Sequence, residues 1–118
     1  MRQRRNKYGA QKTVVDGITF DSKKEANRYC ELRLLERSGV ITGLELQPGF
    51  KFAIEGRPVL IKSNGYPNGR QVTYRADFAY FEGTTRVIED VKGMRTDVFK
   101  LKKAMVEAMF PKVEIREL

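Results

Sequence analysis

Residues 72–92 read VTYRADFAYFEGTTRVIEDVK and decide the fold. Side chains alternate between two faces over Val72–Phe81 and again over Arg86–Lys92, which is typical of β-strands. Gly83-Thr84 lies between these two runs and predicts a tight turn. The segment therefore predicts an antiparallel hairpin.

The register of this hairpin places two carboxylates together. With a turn of even length, Asp77 lies directly opposite Asp90, whereas a three-residue loop would move Asp77 to the other face. Because side chains alternate along a strand, Asp90 and Lys92 share one face and Glu89 points to the other. Asp77, Asp90 and Lys92 are therefore predicted to converge.

Opposed carboxylates in a basic chain predict a metal site, since directly opposed like charges, with Cβ atoms about 5 Å apart, are destabilising. Mg²⁺ binds one or two carboxylates together with waters and substrate phosphate. An ion held by Asp77 and Asp90, with the Val91 carbonyl as a further ligand, could polarise a phosphate and activate a water. Lys92 could orient that water or stabilise developing negative charge. The pattern indicates phosphodiester hydrolysis.

The Asp-x-Lys pattern, and an acidic residue at the start of the first helix, Glu25, each have a simpler structural interpretation. Asp-x-Lys on a strand is common as a solvated ion pair, although apolar neighbours such as Phe78 and Ile88 favour a buried site. Ser22 and Glu25 match a capping box at the start of a helix, and from sequence alone the cap is the favoured role of Glu25.

The charge of the chain indicates a polyanionic partner. Its 118 residues include 23 Lys and Arg against 15 Asp and Glu, giving +8 and a pI near 9.8. Residues 1–12 are predicted to form a basic, flexible arm before one folded domain, residues 13–118. A solubilising terminus and a solvated helix face are the alternatives for these cations. The candidate nucleic-acid contacts are Arg2, Arg4, Arg5, Lys7, Lys12, Arg75, Arg95, Lys100 and Lys103.

Several protein classes are excluded by composition. The chain has no histidine, so catalytic triads and nuclease motifs that depend on histidine are ruled out. Cys30 is the single cysteine, predicted to be a core residue, and no intramolecular disulfide can form. Neither a secretory signal nor a membrane-spanning run is found, so we expect a cytoplasmic protein, in the host cytoplasm if the chain is phage-encoded.

The remaining pattern predicts one α/β layered domain, a mixed β-sheet flanked by helices. Ala26, Tyr29, Cys30, Leu34 and Leu35 are the expected apolar face of the first helix. Val98, Leu101, Met105, Ala108 and Met109 are that of the second. The expected elements are a hairpin around Asp16-Gly17, a helix over 22–38, strands within 40–46, 50–54 and 59–61, an exposed loop over Ser63–Arg70, the 72–92 hairpin, a helix over 97–110 and a last edge strand at 113–115.

Five blocks of sequence carry a resemblance to a known family. They resemble the PD-(D/E)XK nuclease superfamily and, more closely, a small phage-encoded family, formerly a domain of unknown function, that is linked to Holliday-junction resolvases. The blocks are Asn6-Lys7-Tyr8-Gly9, Phe20-Asp21-Ser22-Lys23-Lys24-Glu25-Ala26, Leu46-Gln47-Pro48, Ala76-Asp77-Phe78 and Glu89-Asp90-Val91-Lys92-Gly93.

The resemblance implies an αβββαβ nuclease core, Mg²⁺ or Mn²⁺ as cofactor, and branched DNA as substrate. It makes Glu25 the metal-site acid of the first helix, Asp77 and Asp90 the central ligands, Lys92 the catalytic lysine and Gln47 an accessory residue. It also implies a homodimer, because two symmetric strands need two matching sites. Ala76 stands where the superfamily has proline, and Asp90 is aspartate rather than the commoner glutamate.

The favoured function is a Mg²⁺-dependent endodeoxyribonuclease of the resolvase type in phage DNA metabolism. A non-catalytic nucleic-acid-binding module derived from a nuclease fold is the alternative, since basic charge fits it equally well. A plain adaptor protein is a third, and it leaves the Asp77–Asp90 pair unexplained.

Overall fold

A computed structural model describes residues 11–91 and 96–118. In that part of the chain, two helices and twelve strands form. They are β1 (Thr13–Val15), β2 (Ile18–Phe20), α1 (Lys23–Arg37), β3 (Thr42–Leu46), β4 (Gly49–Lys51), β5 (Ala53–Ile54), β6 (Arg57–Pro58), β7 (Leu60–Ser63), β8 (Tyr66–Gln71), β9 (Thr73–Arg75), β10 (Phe78–Glu82), β11 (Thr85–Asp90), α2 (Asp97–Met109) and β12 (Val113–Glu117).

The central sheet has the strand order β12-β11-β10-β3. Strand β11 runs parallel to β12, and the other neighbours are antiparallel, so the sheet is mixed as predicted. The β10–β11 register pairs Glu82 with Thr85 and Phe78 with Glu89, which confirms the even-length turn at Gly83-Thr84. The predicted α/β domain with a mixed sheet and flanking helices is confirmed.

The two helices pack on opposite faces of this sheet, because side chains alternate along its strands. Phe78, Tyr80 and Val87 face α1 in one core, whereas Ala79 and Ile88 face α2 in the other. No helix in the described residues is long and apolar enough to cross a membrane.

Helix α1 begins where the capping signal places it. The Ser22 hydroxyl accepts the Glu25 amide at 3.1 Å, and Gly39, with φ +82°, follows the helix end. The buried face is shifted from the predicted one: Leu32 is buried, whereas Cys30 and Leu34 are exposed. The prediction of Cys30 as a core residue is therefore wrong. The stripe of Ala26, Tyr29 and Leu32 meets the sheet instead.

Helix α2 shows a similar shift. Thr96 caps it through a 3.1 Å hydrogen bond from the Phe99 amide to the threonine hydroxyl. Val106 is buried and Phe99 packs beside it, whereas Val98 and Leu101, which were predicted to face the core, are 61% and 62% exposed. Met105 packs against this core as predicted, but Phe99 takes the place of Val98 and Leu101. These side chains are similarly apolar, and only the packing against the sheet distinguishes them.

The segment Ser63–Arg70 is a strand hairpin rather than the predicted loop. Strands β7 and β8 pair antiparallel, with Leu60 opposite Gln71 and Ile61 opposite Arg70. Asn64-Gly65 lies at the turn, and such a dipeptide is a strong hairpin signal. Pro67, which argued for a loop, is tolerated because this two-stranded sheet leaves edges on which a proline needs no hydrogen-bond donor.

Candidate metal and nucleic-acid site

Asp77 lies where the β10–β11 hairpin opens. The last paired residues of the ladder are Phe78 and Glu89, and beyond them the Asp77 amide donates to the Glu89 carbonyl at 3.1 Å. The Asp77 Oδ2 accepts the Val91 amide at 2.6 Å. The Asp77 carboxylate is thus bound at the end of β11, against the residue that follows Asp90.

Asp90 is the last residue of β11 and is completely buried. Its Oδ2 accepts a hydrogen bond from the hydroxyl of Tyr74 on β9, and its carbonyl accepts the Leu118 amide at 3.0 Å. Burial, reinforced by the hydrogen bond to Asp90, raises the pKa of Tyr74 well above its ordinary value. Tyr74 therefore remains a protonated donor that orients the Asp90 carboxylate.

Glu89 points to the opposite face of the sheet, as strand alternation predicts. The Arg28 guanidinium on α1 donates two hydrogen bonds to it in a bidentate arrangement, Nε to Oε1 at 2.7 Å and Nη2 to Oε2 at 2.6 Å. The Tyr80 hydroxyl also donates to Oε2. The hydrogen bonds that Arg28 donates to Glu89 raise the pKa of Arg28. Burial first, and then the hydrogen bond to the same carboxylate, raises the pKa of Tyr80 to about 12. Glu89 therefore joins α1 to the sheet.

Glu25 lies in the first turn of α1 and is only 6% exposed. Its amide is capped by Ser22, so the first half of the predicted capping box is present. Arg28 follows it by three residues, so the Arg28–Glu89 ion pair sets the position of this turn against β11. Its role as a metal ligand stays a prediction from the resemblance.

The number of carboxylates at the candidate site bears on whether it could hold a divalent cation. Within residues 11–91 and 96–118, no group of three or more histidine, cysteine or carboxylate side chains is arranged to hold a metal ion. Mg²⁺ commonly takes only one or two carboxylates and fills its remaining positions with water and phosphate. Asp77 and Asp90 carry hard oxygen donors of that kind, and a cation held by them together with the Val91 carbonyl stays a prediction.

Gln47, the predicted accessory residue, adjoins Asp77 through the backbone. Its amide donates to the Asp77 carbonyl at 2.9 Å, and its own carbonyl accepts Arg75 Nη1 at 3.5 Å. Gln47 is exposed and has φ 51°, a left-handed conformation that non-glycine residues rarely adopt. The strained position keeps an amide side chain at the open end of the hairpin.

The predicted nucleic-acid contacts are spread over several elements. Lys12 and Lys100 are exposed. Lys103 is half-buried and its Nζ lies 3.0 Å from Glu117 Oε2, so it joins α2 to β12. The predicted residues that lie outside the described part of the chain are Lys92, Arg95, Arg2, Arg4, Arg5 and Lys7.

Two adjoining clefts run past Arg75 on the α2 side of the sheet. They enclose about 400 and 370 Å³ and share Thr73, Arg75 and Lys102, so they form one groove. Tyr74 lies in the wall of the first cleft, and Lys51 and Arg70 line the second. Among the described lining residues none is acidic. The groove therefore offers four cations beside the tyrosine that binds Asp90.

Comparison with known proteins gives one match. The family model described as "Protein of unknown function (DUF1064)" matches residues 5–117. The chain belongs to the DUF1064 family. No curated protein and no solved structure matches it. The DUF1064 match extends over every helix and strand described above, so the carboxylates and the groove both lie within it.

Sequence reasoning missed the residues that hold the candidate carboxylates of this DUF1064 protein in place. Tyr74 and Asp90 are 16 positions apart, and Arg28 and Glu89 are 61 apart, so no local pattern links them. Lys51 was also missed, because it meets Arg70 and Lys102 only through the packing of three separate elements. The Asn64-Gly65 dipeptide was a usable signal, since it predicts the hairpin that carries Arg70.

Proposed function

We propose that this DUF1064 protein is a metal-dependent DNA endonuclease that hydrolyses phosphodiester bonds in branched DNA, such as a Holliday junction. One observation carries the proposal: Asp77 is bound to the Val91 amide, next in the chain to the buried Asp90, and Asp90 accepts a hydrogen bond from Tyr74, which lies in the wall of a basic groove. Two acidic groups connected in this way to a cationic cleft suit a cation that bridges protein and phosphate.

Asp77, Asp90 and the Val91 carbonyl would hold Mg²⁺ or Mn²⁺, and the resemblance adds Glu25 as a further ligand and Lys92 as the catalytic lysine. A bound divalent ion would neutralise charge on the scissile phosphate. The protein's own groups prepare the site: the Val91 amide fixes Asp77, and the Tyr74 hydroxyl fixes Asp90. Arg75 and Lys102 would bind phosphates on either side of the cut.

The order of elements supports the same proposal. Around the central sheet the chain runs α1, β3, β10, β11, α2, β12, with hairpins inserted between β3 and β10. This order is compatible with the αβββαβ core that the resemblance to PD-(D/E)XK nucleases implies. Asp77 directly precedes β10, and Asp90 is the last residue of β11.

A homodimer forms part of the proposal, because cutting two symmetric strands needs two sites. Leu34 and Val40 are 64% and 58% exposed at the end of α1. That helix packs on the sheet face opposite to α2, so an interface there would leave the groove open. Sedimentation of the protein and of Leu34→Asp should show a dimer that the substitution weakens. A monomer at all concentrations would argue against it.

Cleavage of matched branched and linear DNA, with and without Mg²⁺, tests the activity. Asp90→Asn should abolish cleavage and retain the fold, because its side-chain oxygen can still accept the Tyr74 hydrogen bond. Glu107→Gln, an exposed carboxylate substitution on α2, is the control and should leave cleavage unchanged.

The alternative function, a non-catalytic nucleic-acid-binding module, is favoured by the groove itself, which needs no carboxylate pair to bind DNA. DNA binding without cleavage under Mg²⁺ or Mn²⁺ would support it. Equal binding by the wild type and Asp90→Asn would then be expected.

A further inference from the structure

The hairpin of β7 and β8, residues 60–71, is anchored to the core, and from here on this hairpin alone is called the arm. The Val72 amide donates to the Val59 carbonyl at 2.8 Å, and Gln71 Nε2 donates to the Phe52 carbonyl at 3.1 Å. Phe52 is completely buried in the core on the α2 side. The arm is thus an anchored element whose own side chains are mostly exposed.

One face of the arm continues the basic groove. Ile61 and Arg70 are paired across the arm and both line the second cleft. Arg70 Nη1 lies 3.3 Å from the Tyr66 hydroxyl, and its guanidinium carbon is 5.6 Å from the centroid of the Tyr66 ring. Arg70 therefore connects the groove to an aromatic ring near the turn of the arm.

Tyr66 is 43% exposed, although its ring is large and apolar. The arginine over its ring gives a planar, cationic and aromatic pair. The groove that leads to it carries Arg75, Lys102 and Lys51, with no acid among the described lining residues. A nucleic-acid backbone held by these cations would pass close to the pair.

The chemistry of this pair selects among forms of DNA. Bases inside a continuous duplex stack on each other, so an aromatic side chain cannot reach their faces. A base at a fork or a single-stranded end exposes its face, and stacking on Tyr is tolerant of sequence. We propose that Tyr66 and Arg70 stack on an unpaired base next to DNA held in the groove, so that the arm selects branched over continuous duplex DNA.

This inference rests on the proposed function for its ligand, DNA, but not for cleavage. Binding is therefore measured in the presence of EDTA, by fluorescence anisotropy, with a forked duplex and a blunt duplex of equal length. The wild type should prefer the fork. Tyr66→Ala should weaken binding to the fork about tenfold and leave binding to the blunt duplex unchanged. Tyr66→Phe keeps the ring and should retain the preference.

Three outcomes overturn the inference: a wild type without preference for the fork, equal losses on both DNAs in Tyr66→Ala, or no loss on either. Thermal unfolding of each variant checks that the exposed substitution leaves the fold intact. The cleavage assay separates this inference from the nuclease. If fork binding depends on Tyr66 but no DNA is cleaved, the role of the arm is supported and the proposed nuclease activity is contradicted. If DNA is cleaved but fork binding does not depend on Tyr66, the nuclease is supported and the role of the arm is contradicted.

Discussion

The Tyr74 hydroxyl donates a hydrogen bond to Asp90 Oδ2, and both side chains are buried. Tyr74 also forms part of the wall of the basic groove, so this bond links the groove to the candidate metal ligand. Burial and Asp90 together raise the pKa of Tyr74, so the hydroxyl remains a hydrogen-bond donor even at the alkaline pH at which an ordinary tyrosine ionises. Tyr74 is therefore a positioning residue for Asp90.

Tyr74→Phe should lower the free energy of unfolding by about 2 kcal/mol, since a buried carboxylate loses a donor. It should also weaken Mg²⁺ binding about tenfold, as the loss of a group that orients a ligand does. Urea unfolding and calorimetric titration with Mg²⁺ measure the two effects. Tyr29→Phe, which removes a 3.1 Å bond to Asp16, is the matched control and should leave Mg²⁺ binding unchanged. Unchanged Mg²⁺ binding in Tyr74→Phe would contradict the positioning role.

Arg28→Met should destabilise the protein by about 3 kcal/mol, because it removes the forked partner of a completely buried carboxylate. Glu31→Gln is the matched control: it breaks the other ion pair of Arg28, whose Glu31 side chain is 62% exposed. Such surface pairs contribute about 0.5 kcal/mol. Urea unfolding of both variants compares the two values. Losses of equal size would show that burial of Glu89 does not govern the contribution of Arg28.

Strand alternation explains why the register could be predicted from the sequence. The runs on either side of Gly83-Thr84 have a period of two, and a slip by one residue would expose Val87 and bury Arg86. Helix faces are less strongly determined: Leu34 and Val98 carry the right hydrophobicity, yet both are exposed. A helix in contact with a flat sheet buries a narrow stripe, and several stripes of α2 have similar hydrophobicity.

Within the candidate site, too, some positions could be predicted from the sequence and others could not. The hairpin register could place Asp90 at the end of β11, whereas the predicted pairing of Asp77 with Asp90 does not form, because the ladder ends at Phe78 and Glu89. Tyr74 lies on β9, which pairs with β4 rather than with β10 or β11, so its approach to Asp90 depends on how two sheets pack. The arm was missed because Pro67 and Gly69 outweighed the Asn64-Gly65 turn signal in the interpretation of that segment.

Raising the pH should destabilise the protein through Tyr80. Its pKa is about 12 in the folded state against an ordinary value of 10, since it is buried and bonded to Glu89. The folded state thus holds the proton more tightly, so this contribution to stability is complete below pH 10 and is lost as the pH rises toward 12. Urea unfolding across this range should show a steeper decline in the wild type than in Tyr80→Phe. Parallel declines would contradict the assignment.

Arg75→Gln should weaken DNA binding and make it less dependent on salt. Arg75 is exposed and lines both clefts of the groove, where its charge would displace one counterion from a bound phosphate. The slope of log affinity against log salt concentration should therefore fall by about 1. Arg37→Gln, in the last turn of α1 on the opposite sheet face, is the control and should keep the wild-type slope. Identical slopes in the two variants would exclude the groove as the DNA path.

Gly69→Ala should disrupt the arm. Gly69 has φ +88°, and a Cβ there would lie 3.0 Å from the Leu60 Cβ and 3.1 Å from its Cδ1, so the substitution meets both backbone strain and a close contact. We expect a loss of about 1–2 kcal/mol in unfolding free energy together with a reduced preference for forked DNA. Gly65→Ala, in the turn of the same arm, meets nothing within 4 Å and is the matched control. Hydrogen exchange of the arm amides measures the local effect, and equal protection in the two variants would show that the arm does not depend on Gly69.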